Sequence, residues 1–249
     1  MKKLLVAVFV ALLMVGCGVK TTIHSGNIAL FLGAVIALVG IPILVFRYLA
    51  KKRSEALKVV ADSLEFSFSR EGPHFLVESL RPFDLFSKGR SRRILNAMNG
   101  RNNDIGVTIM DYRYKTRSSS SGNRRSGSQT WSQTVVLLDV DDLQLPTFVI
   151  RPENLFHKIG STFGYQDIDF ETHPTFSKRY LLRGPDEEAI RNAFTTEFLS
   201  SFERHKGLSM ECDGNRIICY RPGKRIAPEK VRPFLEGAIE NVRPFLNKS

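Results

Sequence analysis

Cysteine is scarce: three in 249 residues, at Cys17, Cys212 and Cys219. So few exclude a disulfide scaffold, and a chain of this length can bury a core without one. The five histidines, His24, His74, His157, His173 and His205, are scattered, and no pair has the spacing of joint metal ligands. The familiar catalytic signatures are missing as well. There is no glycine-rich phosphate loop ending in Gly-Lys-Ser/Thr, no Gly-x-Ser-x-Gly elbow and no His-Glu-x-x-His helix. The usual arguments for a nucleotide-binding or hydrolytic enzyme are therefore absent, and no cofactor is expected.

Acidic residues are missing from the first 53 positions, which carry Lys2, Lys3, Lys20, Arg47, Lys51, Lys52 and Arg53. The formal net charge is +11, with a pI near 9.8. Of the 36 basic residues, those seven lie in this stretch, leaving 29 against 25 acidic residues for all the rest. Most of the apparent basicity is thus a membrane-orientation signal, and nucleic acid is a disfavoured partner.

Residues 1–17 begin with Lys2 and Lys3, continue through a short apolar stretch and end in Met14-Val15-Gly16-Cys17. The stretch is too short for a comfortable span and suits a signal-peptide core. Its end resembles a lipobox with Cys17 as the lipidated residue; the alternative is an uncleaved first membrane segment. After a short outer loop, 18–27, residues 28–46 form an uninterrupted uncharged run. At 1.5 Å per residue that is about 28 Å of helix, enough to cross a hydrocarbon core. Arg47, Lys51, Lys52 and Arg53 follow in a basic segment, 47–53, and by the positive-inside rule they face the cytoplasm. The expectation is a membrane hairpin in a bacterial inner membrane, with residues 54–249 as one cytoplasmic domain.

That domain reads as α+β: an antiparallel sheet of several hairpins with packed helices. Residues 54–64 suggest a helix capped by Ser54, 66–68 a short strand and 75–80 a helical turn. Strands are expected at 93–98, 105–116 and 130–140, joined by a turn at 100–103 and a Ser/Gly-rich loop at 117–129. A strand at 148–151, a helix at 153–163, a strand at 179–183 and one helix over 186–202 follow. Asp213-Gly214-Asn215 marks a hairpin whose Leu208, Met210, Cys212, Ile217 and Cys219 share one face, so both cysteines read as core filling. The last helix starts near Pro228, with Pro233 kinking it or marking its true start.

Two stretches are candidates for chemistry. If 167–173 is extended, Asp167, Asp169, Glu171 and His173 point to one face, a donor set suited to a divalent cation or acid–base work. The structural alternative is an amphipathic edge strand whose acids meet nearby Lys178, Arg179 and Arg183. The second stretch, 87–125, concentrates positive charge, with Arg90, Arg92, Arg93, Arg113, Lys115, Arg124 and Arg125 as candidates for gripping an anionic partner. Tyr112, Tyr114 and Trp131 lie among them, adding a stacking option. The alternative is a solvated hairpin tip that maintains solubility.

Phe66 and Phe68, the 89–93 run, Asn96, Gly100, Asp111-Tyr112-Arg113-Tyr114, Arg124-Arg125, Arg151-Pro152, Asp167-Ile168 and Phe176 together give a pattern that resembles an uncharacterised bacterial family of membrane-anchored proteins. The resemblance implies N-terminal membrane segments ahead of an α+β domain, and no activity. The leading expectation is a membrane-tethered cytoplasmic interaction or adaptor domain, bound to the bilayer and contacting anionic lipid headgroups or a membrane or cytoplasmic protein. The alternatives are a metal-dependent hydrolase built on 167–173 and a structural partner in an envelope complex.

Overall fold

The computed structural model describes residues 34, 36–118, 127–153 and 166–246. Two compact units, Met1–Lys51 and Lys52–Ser249, divide the chain. In the first, a π-helical turn over Ile36–Gly40 leads into helix α1, Ile41–Ser63, which continues into the second unit. Among the described residues, all but two of the large apolar side chains that stand exposed lie between Leu38 and Leu49, the others being Val59 and Phe75. Among the described residues no helix is long and apolar enough to cross a membrane. The expected span at 28–46 lies partly outside the described residues, and so do 1–17 with Cys17 and the loop 18–27.

The second unit is an α+β domain built on one antiparallel sheet. After the end of α1 come β1 (Ser67–Glu71), two short helices, α2 (His74–Ser79) and α3 (Asp84–Ser87), and then β2 (Arg90–Asn102), β3 (Ile105–Ser118) and β4 (Gly127–Val140). Next are β5 (Leu145–Pro152), α4 (Pro174–Arg179), β6 (Tyr180–Arg183), α5 (Glu187–Ala193) and α6 (Thr196–Arg204). Strands β7 (Ser209–Gly214) and β8 (Arg216–Tyr220) precede a 3-10 turn, Pro228–Lys230, and α7 (Val231–Leu246). The eight strands run in the order β1-β2-β3-β4-β8-β7-β5-β6. Every neighbouring pair is antiparallel.

Both faces of the sheet are covered, which the alternation of β3 makes plain. Ile105, Val107 and Ile109 enter one core with Leu57 and Ala61 of α1, the apolar faces of α4 to α6 and the stripe of α7. Met110, Tyr112 and Tyr114 enter the other, with Phe83, Leu85 and Phe86 from α3 and its approach. Leu208, Met210, Cys212, Ile217 and Cys219 all belong to the first core, so the cysteines do fill core space.

Several elements differ from the sequence reading. Ser54 caps nothing: it lies inside α1, buried, and its hydroxyl donates to Asn96 Oδ1 at 2.6 Å. The turn after β2 falls at Asn103-Asp104, because Gly100 is paired with Val107 inside the ladder. A Cβ on Gly100 would come to 2.1 Å from the Phe66 ring, so only glycine permits that packing. Strands β3 and β4 stay paired out to Ser118 and Gly127, shortening the expected loop. The helix expected over 186–202 is two helices. Pro233 falls in the first turn of α7, while Pro244 lies inside it. Most of the expected helix 153–163 lies outside the described residues.

Candidate functional site

The chain enters the second unit at Lys52, and its next residue is locked into the sheet. Arg53 donates two hydrogen bonds to Asp111, Nε to Oδ2 at 2.8 Å and Nη2 to Oδ1 at 2.7 Å. Its Nη1 donates to the Ile226 carbonyl at 2.9 Å. Asp111 also accepts from Asn96 Nδ2 at 3.0 Å and Thr134 Oγ1 at 3.0 Å. Asn96 reaches this point from a bulge in β2, where it adopts φ 51°, a conformation asparagine tolerates better than most residues. Every lone pair of the buried carboxylate thus meets a donor. Arg53 is a structural clamp, not a free charge.

Beyond Asp111 along β3, the same sheet face turns basic. Arg113 pairs directly across the ladder with Arg93, and Lys115 with Arg90. Arg93, Lys115 and Arg90 are exposed and Arg113 is half-buried. None of the four makes an ion pair among the described residues. Like charges directly opposite one another destabilise a sheet, so this stripe works against folding. Arg92 sits apart: it donates to the Ser87 and Lys88 carbonyls and closes the end of α3. Arg124 and Arg125 lie outside the described residues. The stacking option fails for two of its three rings. Tyr112 and Tyr114 are buried on the opposite face, in a row running from Phe86 to Trp131 with centroid steps of 4.3, 5.5 and 6.4 Å.

The acidic stretch 167–173 is not a strand, and its four candidates are not brought together as one metal-holding group. Asp167 Oδ1 accepts from the Leu182 amide at 2.8 Å, and partial burial raises its carboxyl pKa. Asp169 and Glu171 are exposed, the latter in a turn. His173 is buried at the start of α4, its ring nitrogens beside Thr172 Oγ1 at 3.0 Å and Ser200 Oγ at 3.5 Å. Among the described residues no group of three or more His, Cys, Asp or Glu is placed to hold a metal. Pro174 and the turn at Glu171-Thr172 end the extended run before it can align four side chains.

Sequence reasoning missed a buried ionic cluster under α3. Arg151 bridges the carboxylates of Asp84 and Glu211, the latter at 3.1 Å, and Lys88 Nζ lies 2.7 Å from Asp84 Oδ2. Glu211 Oε1 accepts from the Tyr220 hydroxyl at 2.6 Å and Oε2 from the Leu85 amide at 3.1 Å. Burial, reinforced by Glu211, keeps the Tyr220 hydroxyl protonated far above its ordinary range. The adjoining cavity, lined by Lys88, Gln133 and Arg151 among others, has only about 10 Å³ of free space. That is room for roughly one water, so the cluster staples α3 to β5 and β7 and admits no substrate.

A larger concavity, of about 400 Å³, opens where the segment after β8 passes α7. Its walls combine Leu208, Phe234 and Ala238 with Arg221, Lys224 and Lys230. The sequence signal was weak, because prolines and Glu229 interrupt this basic run.

No family model matches the chain, and no curated protein matches it. Among solved structures, the crystal structure of the mycobacterial trehalose monomycolate transport factor A, TtfA, is similar to it, with a TM-score of 0.52. The two share 14% identity over 77% of this chain and 91% of that one, which is a likeness of fold.

Proposed function

We propose that the chain is a membrane-tethered interaction domain of the bacterial inner membrane, facing the cytoplasm and contacting anionic lipid headgroups with its β2–β3 basic stripe. The observation that carries this reading is the set of cross-strand cations, Arg90 with Lys115 and Arg93 with Arg113, that make no ion pair among the described residues. They lie on the sheet face that also holds Asp111, the residue that grips Arg53 just after the chain enters the unit. A fold retains such mutual repulsion where a partner of opposite charge relieves it. The exposed apolar side chains between Leu38 and Leu49 supply the tether, since a run of this kind needs apolar cover. A basic side chain near an anionic leaflet contributes about 1 kcal/mol, so four give on the order of 4 kcal/mol. TtfA is described as a trehalose monomycolate transport factor, a lipid-side setting compatible with this reading.

Flotation of residues 52–249 with vesicles tests the headgroup contact. Binding is expected to anionic vesicles at low salt, weakening as salt rises, and to be lost in Arg113→Glu/Lys115→Glu. Equal behaviour towards neutral and anionic vesicles rules the contact out. Proteolysis at 119–126 tests the orientation: protection in intact spheroplasts that vanishes on opening them is expected, and cleavage in intact cells reverses the orientation.

A further inference from the structure

The 400 Å³ concavity beside α7 shares no lining residue with the β2–β3 stripe and has a chemistry of its own. Its lining includes Arg221, Lys224, Arg225 and Lys230, and no acidic side chain among the described residues lines it. Among the described residues none of these four makes an ion pair, and Arg221 Nε is buried with no hydrogen-bond partner. Leu208, Phe234 and Ala238 contribute apolar lining to the same cleft. Gly237 keeps this wall open, since a Cβ there would come to 3.2 Å from His205 Nε2.

The cations are held on a preformed loop. The Lys224 amide donates to the Arg221 carbonyl at 3.0 Å, closing a turn in which Gly223 takes φ +70°. The loop is then tied to β4 at three points: Gly223 N to Gln133 Oε1 at 2.8 Å, Thr134 N to the Lys224 carbonyl at 3.2 Å and Ile226 N to Thr134 Oγ1 at 2.9 Å. Such anchoring lowers the ordering cost of binding. A concavity lined by charge of one sign focuses its field, and its size falls within the range of small-ligand sites.

We propose that this cleft binds a small anionic amphiphile, one phosphate or carboxylate head on a short apolar tail. The head sits among Arg221, Lys224 and Lys230, and the tail covers Leu208, Phe234 and Ala238. The same chemistry is offered by a soluble acyl or alkyl phosphate and by the head and first carbons of an anionic membrane lipid.

Calorimetric titration of the full chain in zwitterionic nanodiscs tests this, with hexyl phosphate as probe and inorganic phosphate and hexyl glucoside as controls. Hexyl phosphate is expected to bind at least about tenfold more tightly than either control, because burial of several methylenes adds to the charge contact. The exposed pair Lys224→Glu/Lys230→Glu is expected to lose about tenfold or more while its circular dichroism and melting are unchanged. Arg113→Glu/Lys115→Glu is expected to bind hexyl phosphate as the parent does, so this site and the headgroup stripe fail or stand separately. Doping the nanodiscs with phosphatidate distinguishes the sources: weakened hexyl phosphate binding identifies a bilayer lipid as occupant, and unchanged binding a soluble one. Hexyl phosphate binding no more tightly than both controls, or equally well to Lys224→Glu/Lys230→Glu, overturns the proposal.

Discussion

At the scale of single residues, the clamp of Arg53 on Asp111 is a costly interaction to lose. The side chains are only 14% and 7% exposed, and Asp111 also accepts from Asn96 and Thr134. Removing one member of such a pair strands the other, at about 3 kcal/mol. Arg53→Ala is therefore expected to lose about 3 kcal/mol in urea titration, with Arg53→Lys recovering only part, since an ammonium cannot donate in a fork. Arg53 also shows what a sequence hides. Adjacent to Lys51 and Lys52 it reads as one more orientation charge, and only the fold reveals a partner 58 positions away. Cys219 gives a second residue-level expectation. Burial pushes its thiol from an ordinary 9.0 up to about 12, and burial with Glu211 raises Tyr114 from 10.0 to about 12. The unfolded chain releases these protons first, so stability is unaffected below about pH 9 and falls as pH rises towards about 12. Urea midpoints at about pH 8 and about pH 11 should show this fall, and Cys219→Ala should lessen it.

At the scale of elements, hydrophobic spacing located side chains better than it located backbone. Ile190, Phe194, Phe198 and Phe202 keep a helical spacing and all enter the first core, as one continuous helix would place them. The backbone nevertheless breaks at Phe194 (φ −86°, ψ 94°), and its ring still packs 4.7 Å from Phe198 and 4.9 Å from Phe148. The break works because each helix has its own cap: Asp186 accepts from the Ala189 amide at 2.9 Å and Thr195 from the Phe198 amide at 3.2 Å. Thr195→Ala leaves that amide unpaired and is expected to cost about 1 kcal/mol in urea titration, with Thr195→Ser restoring most of it. The β7–β8 hairpin was legible because an Asp-Gly-Asn turn and strict alternation pointed the same way. Alternation misled at Glu211, though. Lying between Met210 and Cys212, it should face solvent on a one-sided sheet, whereas here the opposite face is a second core.

At the scale of the unit Lys52–Ser249, the central strands β3, β4 and β8 each give one face to either core. Val136 and Leu138 of β4 belong to the first core and Val135 and Leu137 to the second; Cys219 and Ile218 divide β8 in the same way. Neither core can lose these strands and leave the other intact. The Asp84–Arg151–Glu211 cluster adds a buried polar link across three elements. A single cooperative transition follows, and the chain carries a probe for each side. Trp131, the lone tryptophan, packs on the second core, while Cys212 and Cys219 lie in the first. Both thiols are buried and unpaired by disulfide, so alkylation requires opening. Trp131 emission and cysteine alkylation, followed through one urea titration, are expected to share a midpoint. Separate midpoints would mean that the two faces unfold independently and that the shared strands do not couple them.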